Sequence, residues 1–155
     1  MSAAAWMEQA ADDLAAAKIL SAAGHHPQAI WLAAQAVEKA HKAILFALGL
    51  GVQTKDLKGF SHDVLKVVAL LPQALQDPPD ADVARARSTL QQRAELSRYP
   101  ELLPGQAPTV VAPKLRLPSS EADVRDAEML VRWCKERLAR AGRAVAAMGA
   151  PNNNP

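Results

Sequence analysis

The sequence predicts an all-α protein, an up-and-down helical bundle of four main helices plus one short helix. Three observations carry this. Apolar residues return at steps of three and four through four long stretches, as one face of an α-helix requires. Alanine and leucine dominate while glycine, at 7 of 155 residues, is scarce inside the periodic runs, which favours helix. No stretch is rich in strand-forming residues, and no internal repeat is visible.

The organising stretch is 28–48. Ile30, Ala33, Val37, Ala40, Ile44 and Leu48 form its main stripe. Glu38 and Lys42 stand four apart with the acid N-terminal, the favourable order. Pro27 suits the first helical position, where its missing N–H costs nothing. Gly49 and Gly51 suit a left-handed cap at the far end. Every other helix is expected to pack on this one. Trp31 and Phe46 point away from the stripe, so this helix is apolar on two sides. That marks it as central in its bundle, or buried against a second subunit.

The first helix is expected over about 3–23. Met7, Ala10, Leu14, Ala17 and Ser21 line its face, Trp6 lies at the edge, and Ile19 and Leu20 fall off it. Gly24 is the expected C′ residue, and the short link through His25 and His26, read as a solvated turn, makes an antiparallel hairpin. A short helix over about 61–71 has Ser61 as its N-cap, Asp63 in its first turn and Val64, Leu65, Val68 and Leu71 inward. A further helix starts near Asp80 or Ala81 with Val83, Ala86, Leu90 and Ala94 inward. It ends about Ser97 or Arg98, because Tyr99 precedes Pro100. Residues 99–118 read as an extended proline-rich loop. The last helix follows Ser119 and Ser120, with Asp123 at capping-box-like spacing from Ser120. Its stripe is Val124, Ala127, Val131, Cys134, Leu138, Ala141 and Val145. Residues 1–148 therefore read as one domain and 149–155 as a disordered tail.

Composition sets outer bounds. A formal charge of +2 does not by itself argue for nucleic acid. The lone Cys134 gives no disulfide framework and fits a reducing, cytoplasmic setting. No apolar run approaches the ~18–20 residues of a membrane span, and no leader is expected. One cysteine with scattered histidines supplies no metal site, and no glycine-rich phosphate loop is present. Neither a metal nor a cofactor is expected.

Three short pieces in order carry a resemblance: Gln35-Ala36-Val37-Glu38-Lys39-Ala40-His41-Lys42-Ala43, then Ser61-His62-Asp63-Val64-Leu65, then Ser97-Arg98-Tyr99-Pro100. Together they resemble the central helix, the third-helix opening and the segment after the fourth helix of HEPN domains. The resemblance implies a compact helical bundle. In the family's nucleases an Arg binds the scissile phosphate and a His four to six residues on assists proton transfer. Arg98 matches the Arg, but no histidine follows His62 anywhere in the chain. Glu101 stands in the nearby sequence without a precedent for that role.

Arg98 offers a planar fork to phosphate or carboxylate, and Tyr99 beside it a ring for stacking a base. His62 and Lys39 complete the ligand-binding candidates. A capping role for Arg98 and a structural role for His62 weigh more heavily. His41, inside the stripe, reads as a hydrogen-bonded core histidine. Trp31, Phe46, Ile19 and Leu20 are the dimer-interface candidates. The basic run Arg132, Lys135, Arg137, Arg140 and Arg143, with Arg85, Arg87 and Arg93 on the preceding helix, would suit a phosphate-binding surface, but without interleaved aromatics it reads rather as solvated cations complementing a helix C-terminus.

The sequence thus points to a non-catalytic, dimeric binding or assembly module that takes a nucleotide or an RNA phosphate. By resemblance it pairs with a separate nucleotidyltransferase-like chain, as in toxin–antitoxin systems. The competing expectation is a metal-independent RNase toxin with a rearranged site.

Overall fold

The computed structural model describes residues 2–49, 68–71, 81–98 and 119–148, with backbone alone for Arg98 and 141–148. Among these residues four long α-helices follow in order: α1 Ala3–Ala22, α2 His26–Ala47, α3 Ala81–Arg98 and α4 Glu121–Met148. The bundle is all-α, as its periodicity predicts. The expected short helix contributes one described turn, in which the Leu71 N–H donates to the Val68 carbonyl at 3.0 Å. The rest of 61–71, the loop 99–118 and the tail 149–155 lie outside the described residues.

Local chemistry fixes the ends. The Ser2 hydroxyl accepts from the Ala5 N–H at 3.2 Å and caps α1. At the other end Gly24 takes φ +79°, the Gly24 N–H donates to the Ser21 carbonyl and the His25 N–H to the Leu20 carbonyl. That pair of bonds is a Schellman motif, and it turns the chain straight into α2. The turn is tighter than expected. α2 starts at His26, so Pro27 occupies the second helical position. Its ring nitrogen still lies among the N-terminal groups that need no intrahelical partner. Gly49, at φ +70°, closes α2 in the same manner.

α2 packs against all three other helices. Its stripe is closed to solvent through Ile30, Ala33, Val37, Ala40 and Ile44, with Leu48 at its end half-buried. α1 contributes Ala10, Leu14 and Ala17; α3 contributes Val83, Ala86, Leu90 and Ala94; α4 contributes Val124, Ala127, Leu130, Val131 and Cys134. These residues belong to the predicted faces, with Leu130 added, while the side chains of Ala141 and Val145 lie outside those described. The alanines on the facing sides of α1 and α2 permit close helix approach. The fully buried Ile30, Ile44, Leu45, Leu90 and Leu130 each contribute about 1.5–3 kcal/mol by leaving water.

Polar residues pin the helix ends to one another. The Ser120 hydroxyl donates to Ser21 Oγ at 2.8 Å and accepts from His26 Nδ1 at 2.9 Å. His26 is therefore held between α1 and α4 and is not the solvated turn residue its position suggested, whereas His25 is exposed. Asp123 turns away from a capping box as well. Its Oδ1 takes Arg93 Nε at 2.6 Å, while Arg93 Nη2 reaches the Ser119 carbonyl at 2.8 Å. The Val124 N–H bonds the Ser120 carbonyl, and Ser119 Oγ accepts from the Glu121 N–H.

Candidate functional site

Two places in the bundle combine polar or aromatic groups with unusual surroundings. The first is a groove between the start of α2 and the end of α3. Pro27, Gln28, Trp31 and Ser97 line an open depression of about 370 Å³. Trp31, 37% exposed, also heads a neighbouring cleft with Gln35, Glu38, Gln91 and Glu95. The walls are held by side-chain bonds along each helix: Gln35 Nε2 to Glu38 Oε2 at 3.2 Å, and Gln91 Nε2 to Glu95 Oε1 at 3.0 Å. Glu38 also pairs with Lys42, whose ammonium lies 5.4 Å from the Trp6 ring centroid. Ser97 is the residue before Arg98, the last residue of α3, so the chain leaves the helix at the rim of this groove.

The other sequence-named residues fall in different surroundings. Lys39 Nζ lies 2.6 Å from Asp13 Oδ2, so its charge is matched within the α1–α2 pair. His62 and Tyr99 lie outside the described residues. Ile19 is 69% exposed on α1 and Leu20 is half-buried. Phe46 is half-buried against Trp6, ring centroids 5.9 Å apart.

The second place is interior. His41 on α2 is fully buried, with Nδ1 2.8 Å from the Val37 carbonyl and 3.5 Å from Cys134 Sγ on α4. A carbonyl only accepts, so Nδ1 carries the proton. Burial, helped by the nearby Arg87 charge, lowers the His41 pKa to about 3. Burial pushes the Cys134 thiol far above its ordinary range, against the pull of Arg87 and Arg137. The spacing suggests a nucleophile and its base, yet the facing nitrogen has no lone pair to spare and the thiol stays protonated. This is a core contact, as the sequence reading of His41 anticipated.

Around it sits a group that the sequence did not reveal. The Trp133 ring lies 5.9 Å from His41, stacked at 27°, with the Arg87 guanidinium carbon 4.5 Å and that of Arg137 4.6 Å from its centroid. Arg87 and Arg137 are only 5% and 8% exposed. They are therefore not solvated dipole-complementing cations; their stems and forks are folded onto an indole. The available signal was the i, i+4 spacing of Trp133 and Arg137, but Arg87 comes from another helix. Among the described residues no group of His, Cys, Asp or Glu is placed to hold a metal. No described helix is long and apolar enough to cross a membrane.

The described helices, with the buried His41–Cys134 contact inside and the groove beside Trp31 outside, make an all-α bundle. The HEPN domain family model matches residues 3–138, so the chain belongs to the HEPN domain family. Two crystal structures are similar to it. TT1696 from Thermus thermophilus aligns with a TM-score of 0.59 at 25% identity, over 91% of this chain and 96% of that one. ST0689, described as an archaeal HEPN homologue, aligns with a TM-score of 0.52 at 23% identity, over 94% of this chain and 98% of that one. No curated protein matches the chain.

Proposed function

We propose that this chain is a non-catalytic HEPN binding and assembly module that works as a homodimer and presents the Trp31 groove to a ligand or partner chain. The observation that carries the reading is Trp31 itself. A large aromatic left 37% exposed at the head of a groove is an anchor of the kind that interfaces and ligand sites use. Ile19, at 69% exposure, adds apolar surface on α1 for association. Arg98, next along the chain from Ser97, supplies the anion contact that the sequence suggests, for a nucleotide or an RNA phosphate. A separate nucleotidyltransferase-like chain is the partner that the family resemblance implies.

The described histidines support the non-catalytic part. His41 is sealed and holds its proton on the facing nitrogen, His26 is bonded to the Ser120 hydroxyl, and no histidine follows Arg98 in sequence. Calorimetry with ATP, GTP and short RNA tests the ligand. Heat with one of them that weakens in Trp31→Ala supports the groove; no heat with any removes the ligand half of the proposal.

A further inference from the structure

The chain has three tryptophans, and two of them carry one of its own cations on the ring. Lys42 Nζ lies 5.4 Å from the Trp6 centroid, and the Arg87 and Arg137 guanidinium carbons lie 4.5 and 4.6 Å from that of Trp133. Trp31 differs. It has no such cation among the described residues, and it is the exposed one of the three. Its surroundings are also charged in the opposite sense. Among the described residues, the charged groups lining the two hollows at Trp31 are both carboxylates, Glu38 and Glu95. Glu38 is met by Lys42. Glu95 is exposed, its Oε1 accepts from the neutral Gln91 amide at 3.0 Å, and no described Lys or Arg pairs with it. A ring face and an unpaired carboxylate on one cleft attract a cation twice over, through the ring quadrupole and through its charge.

We propose that the cleft between Trp31 and Glu95 receives an arginine side chain of a partner protein, its guanidinium lying on the indole face and donating to the carboxylate. Arginine suits the place better than lysine. Its flat cation stacks on an aromatic face, and it is more weakly hydrated than an ammonium, so it leaves water more readily. Trp133 is already covered twice in that manner by this chain's own arginines. The cleft, about 290 Å³, and the open depression beside it take a side chain presented from a partner's surface; they do not enclose a free small molecule as a ligand pocket does. Such a site rests on the reading of the groove as a docking place proposed above, and specifies what the partner brings to it.

The test follows the indole N–H signals of the intact, isotope-labelled protein by NMR, with that of Trp31 assigned by its loss in Trp31→Phe. The probe is a blocked leucine–arginine–alanine tripeptide. Its citrulline counterpart has the same shape without the charge, and spermidine supplies a free cation. The expected result is a saturable shift of the Trp31 signal with the arginine peptide and none with the citrulline one. Glu95→Lys, at an exposed position, turns attraction into repulsion and should weaken binding on the order of 10-fold, and Glu95→Gln about 3-fold. No shift, an equal response to citrulline, tighter spermidine, or unchanged affinity in both Glu95 variants overturns the proposal. A Trp31 shift on concentrating the protein alone gives the place to a second copy of this chain and also overturns it. If the peptide fails while a nucleotide or RNA gives heat that weakens in Trp31→Ala, the groove stands and the arginine alone falls; if both fail, the groove reading falls with it.

Discussion

His41 Nδ1 and Cys134 Sγ face each other at 3.5 Å across the α2–α4 contact, with the nitrogen also bonded to the Val37 carbonyl at 2.8 Å. That single arrangement explains why a pair with the spacing of a catalytic dyad behaves as packing. The proton on Nδ1 is committed to the carbonyl, and the sulfur sees an imidazole that gives and does not take.

The buried imidazole makes stability depend on pH. Its pKa is about 3 in the fold against 6.5 when exposed. Above pH 6.5 both states are neutral and the group has no effect. As pH falls below that, the unfolded chain binds a proton that the native state refuses, so stability drops progressively toward pH 3. At about pH 5 the loss attributable to His41 is about 2 kcal/mol relative to about pH 7. Urea denaturation of the parent and of His41→Gln at both pH values measures it. The variant should lose that much less on acidification.

Cys134 is fully buried and its thiol is held protonated. A thiol reagent should leave the native protein unmodified at neutral pH and react fully once the chain is unfolded in denaturant. Reaction at the rate of a free thiol without denaturant would show that the α2–α4 contact opens.

Arg93 and Asp123 carry the α3–α4 join. Asp123 is 3% exposed and takes Arg93 Nε at 2.6 Å. Removing the guanidinium strands a buried carboxylate, so Arg93→Met should cost about 3 kcal/mol. Arg125→Met should cost under about 0.5 kcal/mol, because Arg125 meets Glu121 at 3.8 Å on the open face of α4. Thermal melts of both compare the two.

Val37 tests the core. It is 1% exposed at the centre of α2. Val37→Asp places an unpaired charge among apolar side chains and should unfold the domain or lower its stability by several kcal/mol. A melt as high as that of the parent would contradict the packing described.

Helices were legible in the sequence where a local rule decides them. The stripes on α2, α3 and α4 repeat at three and four, and Gly24 and Gly49 mark the turns that need positive φ. What escaped depended on partners remote in the chain. Asp123 sits where a capping box would use it, and only the fold brings Arg93 within reach. His26 reads as turn until Ser120 arrives from α4. Arg87 and Arg137 read as solvent-facing because arginine usually is; Trp133 draws both inward. Of the residues the sequence singled out, Trp31 came from its angle to the stripe, as a dimer-interface candidate, and Lys39 turned out to be matched by Asp13.

The proposed role of this HEPN domain is to bind and not to cut. Its most direct test is digestion of a mixed-sequence RNA by the purified protein beside Arg98→Ala, in the absence of metal ions. The account predicts intact RNA with both. Cleavage by the parent that disappears in Arg98→Ala would contradict it and restore the nuclease reading.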